Sequence, residues 1–271
     1  AHYHFDQQEI GSPSEFMAGV YGAKGPVYSV SSACASGGKA FAAAGRLIRA
    51  GICDAVVVGG ADTLCTMTVG GFRSLQALSD EICNPMSRNR AGTNIGEGAA
   101  VFLMTKERSH IRFMGAGESS DAHHISAPEP SGKGAEVAMR RALADAELEP
   151  GQIAYLNMHG TATNLNANME AAAISRIFEP DLKVSSSKPM TGHTLGAAGA
   201  IEAAFIWLNL INAGAAEVTL IPHLWDGVLD DALPTLSLAG KNETLSATGP
   251  LMMMSNSFAF GGNNVSVLIG K

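Results

Sequence analysis

The stretch VYSVSSACASGGKA, Val27–Ala40, runs from a β-branched segment through a lone cysteine into a row of small residues. Val27–Val30 predicts a strand. Ala35–Ala50 predicts a helix, with an apolar stripe at Ala40, Ala43, Leu47 and Ile48 and a stop at Gly51. Cys34 therefore falls at a strand-to-helix elbow, and two readings of it are open. A free cysteine is a small hydrophobe, often buried for packing alone. At a helix N-terminus, however, partial positive charge and free N–H groups favour the thiolate, which is the nucleophilic form.

The same alternation continues outward. Ala55–Val58 and Ala99–Met104 read as apolar strands, and Ile111–Met114 as extended. Gly134–Ala146 predicts a helix, Ile153–Asn157 a strand, Met169–Phe178 a helix and Lys183–Ser186 a short strand. Gly196–Ala213 predicts a long apolar helix, with Leu251–Ser255 and Asn264–Ile269 as a closing strand pair. Apolar strands alternating with helices predict an α/β architecture with sheets covered on both faces. Ser126–Gly134, SAPEPSGKG, is a loop, and a domain boundary is placed near His110, giving units 1–110 and 111–271.

The chain has 271 residues, 46% hydrophobic and 16% charged, with a net charge of −7, enough for one large domain or two ordinary ones. The acidic balance and the absence of a Lys/Arg run argue against a nucleic-acid partner. The longest apolar stretch, Ala197–Ala213, is interrupted by Glu202 and two asparagines, so no membrane span is expected. Ala1–Gly11 is polar and does not read as a signal peptide. Cys34, Cys53, Cys65 and Cys83 lack CxxC spacing and read as reduced thiols, which predicts a cytoplasmic setting. His2 and His4 read as a frayed terminus rather than a metal clip, and no metal site is expected.

Three further stretches follow predicted strands: NMHGTAT (Asn157–Thr163), SSSKPMTGHTLGAAGAIEA (Ser185–Ala203) and SNSFAFGGNN (Ser255–Asn264). Ligands collect at the carboxyl ends of strands in open α/β sheets. Convergence of these loops there would bring His159, Lys188 and His193 to Cys34, with two phenylalanines and several free backbone amides.

With NIGEGAA (Asn94–Ala100), these motifs resemble the β-ketoacyl-acyl-carrier-protein synthases, condensing enzymes of fatty-acid and polyketide synthesis with the thiolase fold. The resemblance runs in family order along essentially the whole chain. It implies a thiolase-like five-layer αβαβα sandwich, usually a homodimer, acting on substrates carried on the phosphopantetheine of acyl-carrier protein, with no other cofactor. It also implies a mechanism: Cys34 takes an acyl chain as a thioester, and His159 and His193 stabilise the enolate left when malonyl thioester loses CO₂. The backbone amides of Cys34 and Phe260 would form the oxyanion hole, and Lys188 would be a fixed cation paired with Glu170. Phe72, Phe258, Thr161, Thr163, Gly261 and Gly262 would line the substrate site.

The sequence departs from the family pattern at Ala91 and Ala167, each in place of an aspartate, and at Asn263, in place of threonine. The family's long segment before the elbow is also absent, so the N-terminal half is expected to be incomplete, with apolar surface exposed. That segment would be supplied in cis or by a separate chain. Two other readings stand beside the synthase: a catalytically silent subunit that binds acyl chains, and a thiolase-like enzyme using coenzyme A. HGT in place of the thiolases' asparagine motif favours the synthase.

Overall fold

A computed structural model describes residues 4–214 and 216–271; His2, half of the N-terminal histidine pair, lies outside them. In chain order the elements are α1 (Ser12–Tyr21), α2 (Ser36–Arg49), β1 (Ala55–Asp62), α3 (Thr66–Ser74), β2 (Gly98–Thr105), β3 (Arg112–Ser120) and α4 (Lys133–Asp145). There follow β4 (Ile153–Asn157), α5 (Asn164–Ser175), β5 (Lys183–Ser185), the single turn α6 (Lys188–Thr191) and α7 (Ala198–Ile211). Strands β6 (Glu217–Thr219), β7 (Ser237–Leu238), β8 (Thr244–Ser246), β9 (Met252–Ala259) and β10 (Asn263–Gly270) complete the chain.

The centre is a six-stranded mixed sheet in the order β3-β10-β9-β4-β5-β7. Side chains alternate across a strand, and here each parity feeds its own core. Met253, Val265, Val267 and Tyr155 pack with α2 and α7. Met254, Leu268 and Leu156 pack with α4 and α5. Both faces are covered, so β9 and β10 are buried along nearly their whole length, and between them Ser266 Oγ donates to Asn256 Oδ1 at 2.7 Å.

The second sheet is a ribbon of only two strands, β1 and β2, paired antiparallel from Ala55↔Thr105 to Asp62↔Gly98. One face packs on the α2–α7 layer through Val58 and Phe102. Val57, Val101 and Leu103 on the other face are 38%, 50% and 68% exposed, and β2 alternates between exposed and half-buried along its length. The expectation of sheets covered on both faces therefore holds for the central sheet and fails for this one. Four layers, αβαβ, are present among the described residues, and the outermost helical layer over the ribbon is not.

The small-residue composition of α2 and α7 has a direct cause. A Cβ at Gly37 would stand 2.8 Å from the backbone nitrogen of Ala200, and one at Gly199 would stand 2.6 Å from that of Gly38. The two helices cross backbone against backbone, and only glycine fits.

Val27–Val30 is not a strand: no regular structure is assigned there, and Val27 and Tyr28 are exposed. A β-branched run needs a neighbouring ladder to become a strand, and among the described residues none lies beside it. Helix α5 begins at Asn164, five residues before the predicted start, because Thr163 caps it by accepting from the Asn166 N–H.

Candidate active site

The elbow at Cys34 is built from local hydrogen bonds. Ser36 Oγ donates to the Ala33 carbonyl at 2.6 Å and accepts from the Ser32 N–H at 2.9 Å. Ala33 sits at φ +46°, a left-handed conformation costing an alanine roughly 1–2 kcal/mol. This fold of the chain delivers Cys34, 6% exposed, to the head of α2.

His193 Nε2 lies 3.0 Å from Cys34 Sγ. Its position is set by backbone: the His193 N–H donates to the Asn94 carbonyl at 2.7 Å, and the Gly96 N–H donates to the His193 carbonyl at 3.0 Å. NIGEGAA is thus the second edge that holds His193. His159 follows β4, and its ring meets that of His193 edge to face, centroids 5.2 Å apart. Burial holds both imidazoles well below their usual pKa, and the positive charge of Lys188 adds to this. Both are neutral at physiological pH.

Lys188, 1% exposed, donates from Nζ to Glu202 Oε1 at 2.7 Å. This corrects the expected pairing with Glu170. The Glu170 carboxylate instead accepts from two backbone N–H groups, His159 at 2.7 Å and Gly160 at 2.8 Å, and so pins the HGT turn. Burial pushes its pKa up to about 7, with those two N–H groups opposing the rise. Glu202 was visible in the sequence as the one charge in an apolar helix; a carboxylate there is almost never buried unless paired. Lys188 is the only lysine on the facing turn.

The thiolate expectation is also corrected. Burial pushes the Cys34 thiol up to about 12, against the lowering influence of Lys188. In this closed arrangement desolvation outweighs the helix terminus, and Cys34 rests as a thiol. The donor atoms of Cys34, His159 and His193 lie within 4.8 Å of one another, a spacing zinc could bridge, yet the nearby Lys188 charge opposes a second cation.

The remaining predicted residues divide in two. Phe260 stacks on Phe72, centroids 5.4 Å apart and planes 20° apart, and Phe72 meets His193 edge-on at 6.4 Å. Phe258 lies against His159 at 6.2 Å. Gly261 and Gly262 form the turn at φ +76° and +71°, where glycine is required. Phe72 and Phe258 thus lie against the two histidines, and Phe260 reaches the cluster through Phe72. Thr161 and Thr163 instead bond to each other and to Asn166, which accepts from the Thr161 N–H at 2.9 Å and hydroxyl at 3.1 Å. Their hydroxyls build the turn after His159. Among the departures, Asn263 accepts from Lys39 Nζ at 2.8 Å, and Ala167 packs in the α4–α5 core.

Comparison with known proteins follows the same geometry. The family models described as beta-ketoacyl synthase, N-terminal domain, and beta-ketoacyl synthase, C-terminal domain, match residues 12–110 and 110–219. The chain belongs to the beta-ketoacyl synthase family. A mitochondrial 3-oxoacyl-[acyl-carrier-protein] synthase from Arabidopsis thaliana is 38% identical over 93% of this chain and 58% of its own. 3-Oxoacyl-[acyl-carrier-protein] synthase 2 of Staphylococcus aureus (strain COL) is 36% identical over 92% of this chain and 63% of its own. A ketosynthase (ApeO) in complex with its chain length factor (ApeC) from Xenorhabdus doucetiae superposes with a TM-score of 0.93 at 45% identity, covering 99% of this chain and 66% of that one. This beta-ketoacyl synthase chain therefore has the thiolase-like ketosynthase fold and spans less than two thirds of those relatives' length. No helix among the described residues is long and apolar enough to cross a membrane.

Proposed function

We propose that the chain carries out decarboxylative Claisen condensation as a 3-oxoacyl-[acyl-carrier-protein] synthase, in fatty-acid or polyketide synthesis. The observation that carries this reading is the 3.0 Å contact between Cys34 Sγ and His193 Nε2, beside a second neutral histidine. The chain would divide functionally near residue 110, the first part supplying the nucleophile and the second the histidines and lysine.

In the first half-reaction Cys34 Sγ attacks the carbonyl of an acyl thioester on the phosphopantetheine arm of acyl-carrier protein. Its proton passes to His193 Nε2 and then to the departing thiolate of the arm, leaving an acyl thioester on Cys34. Malonyl thioester next enters and loses CO₂. The enolate oxygen receives N–H donors from neutral His159 and His193, and its carbon attacks the acyl-Cys34 carbonyl. The backbone amides of Cys34 and Phe260 hold the tetrahedral oxyanion, a contact typically worth about 10²–10³ in rate. Collapse expels the Cys34 thiolate, which takes up a proton from solvent through His193, so one proton is consumed for each CO₂ released and the thiol is restored. Atoms balance without a further cofactor, and coenzyme A is not required as it would be in a thiolase.

This assignment separates the histidines. His159→Ala should leave acyl loading of Cys34 near the wild-type rate and lower CO₂ release by about 10²-fold or more. His193→Ala should slow both steps. Loss of loading with decarboxylation intact in His159→Ala would reverse the roles. Because both pKa values are lowered, the histidines stay in their neutral form as pH falls through 6.5. CO₂ release should therefore show no histidine-linked acid limb there, and a limb at 6.5 in the pH–rate profile would contradict the assignment.

For partners, the reading takes acyl-carrier protein and a second subunit. Phe16, Val20, Tyr21 and Tyr28, all 50% or more exposed, leave an apolar flank at α1 and the segment before Cys34, and such a patch on a ketosynthase fits pairing with a second copy. The Xenorhabdus relative, described in complex with a chain length factor, favours a related subunit as the alternative partner. Sedimentation at micromolar concentration tests association, and a monomeric mass would exclude the self-pairing. Four free cysteines fit a cytoplasmic setting.

A further inference from the structure

His223 lies on the connection between β6 and β7, 4% exposed and in contact with none of the reacting groups. Both of its ring nitrogens are engaged. Nδ1 accepts from the Ser186 N–H at 3.1 Å, and Nε2 stands 2.9 Å from the Pro85 carbonyl. A carbonyl only accepts and an N–H only donates, so the ring carries its proton on Nε2 and none on Nδ1. Its backbone N–H donates to the Ala239 carbonyl at 2.8 Å, and Trp225 meets the ring edge-on, which fixes the ring plane.

The two segments that His223 joins lead to different parts of the active site. Ser186 Oγ donates to the Gly160 carbonyl at 2.9 Å and accepts from the Lys188 N–H at 3.3 Å, so Ser186 ties the turn after His159 to the start of α6. Pro85 begins a segment that ends at Asn94, whose carbonyl holds the His193 N–H. The loop carrying His223 grips that segment at further points. Asp226 accepts from Ser87 Oγ and Asn89 Nδ2, each at 2.8 Å. The Val228 carbonyl accepts from the Arg88 N–H, and Asp230 pairs with buried Arg90 at 2.5 Å.

We propose that His223 is a positioning residue, setting the turn that carries His159 and Lys188 against the segment that carries His193. It thereby fixes the spacing of the two histidine rings. The inference rests on the condensing-enzyme reading for its effect on rate, but its structural core, a histidine acceptor for the Ser186 N–H, does not. Enolate stabilisation needs both histidines in register, whereas acyl loading of Cys34 needs only His193. A displacement of about 1 Å at a reacting centre can cost about 10²-fold, so the consequence falls on decarboxylation.

Two substitutions separate the ring's two bonds. His223→Asn keeps an acceptor where Nδ1 stands, and His223→Gln keeps only a donor where Nε2 stands. In His223→Gln, kcat for CO₂ release from malonyl-carrier protein should fall about tenfold or more, with KM and the rate of Cys34 acylation close to wild type. His223→Asn should recover most of that loss. Amide hydrogen exchange at Ser186 should be fast in the Gln variant and protected in the Asn variant. Equal rates in the two variants, or both steps falling together in proportion to lost thermal stability, would overturn the proposal. Should the wild-type chain release no CO₂, the condensing reading fails, and Ser186 exchange decides the matter for His223: a difference between the variants supports it and equal exchange refutes it.

Discussion

Cys34→Ala should abolish acyl loading, by at least about 10⁴-fold, the scale on which removal of a covalent nucleophile is felt. The competing thiols make the result informative. Cys65 is exposed, and hydrogen bonds from Thr68 hold its thiol below the usual cysteine range. Cys34 is buried, its thiol raised to about 12. A small alkylating reagent should therefore mark Cys65 first, because reactivity towards such reagents follows the thiolate fraction and access. An acyl-carrier thioester should do the reverse, since among the described residues only at Cys34 does a neutral imidazole stand within 3.0 Å to take the proton as the bond forms. Peptide mass spectrometry after each treatment reads both outcomes. Acyl mass on Cys53, Cys65 or Cys83 would remove Cys34 from the mechanism.

Breaking the Lys188–Glu202 pair should cost about 3–5 kcal/mol, a large share of a net stability of about 5–15 kcal/mol. Both partners are nearly inaccessible, and Glu202 Oε2 has no hydrogen-bond partner among the described residues. Lys188→Met would leave the carboxylate buried with neither oxygen bonded. The double substitution Lys188→Met/Glu202→Leu removes both charges and should regain much of the loss, since an apolar pair of similar volume avoids desolvating either ion. Thermal unfolding of the two single variants and the double tests this; simple additivity would show that the groups do not act as a pair. Removing the Lys188 charge also lifts one of the influences that depress His159 and His193. Their pKa values should rise, and any acid limb in the rate should move towards higher pH.

Most strands were legible because each parity of the central sheet faces a core, so the strands carry short apolar runs, Ile153–Leu156 in β4 and Val267–Ile269 in β10. Val27–Val30 misled because β-propensity records fit to a neighbour, and among the described residues no strand lies beside it. Helix α3 was missed: Thr66, Thr68, Gly70 and Gly71 are poor helix formers, and its cap is the Cys65 sulfur, accepting from the Thr68 N–H. The Cys34, His159, Lys188 and His193 positions were readable from motifs, each tied to a glycine turn. Partner choice was not. Glu170 and Glu202 are both buried carboxylates near Lys188, and only the direction of the Glu170 side chain, towards the amides of His159 and Gly160, separates them. His223 carried no local signal, because its partners lie 37 and 138 residues away.

The left-handed alanine at position 33 places that site under two opposed selections. Glycine would adopt φ +46° without the roughly 1–2 kcal/mol that alanine incurs, but it would also widen the conformations open to the unfolded chain and to the elbow itself. A screen for heat tolerance alone should therefore enrich Ala33→Gly, while a screen for turnover should deplete it. Thermostability and catalytic speed would then be traded through a single methyl group next to the sulfur.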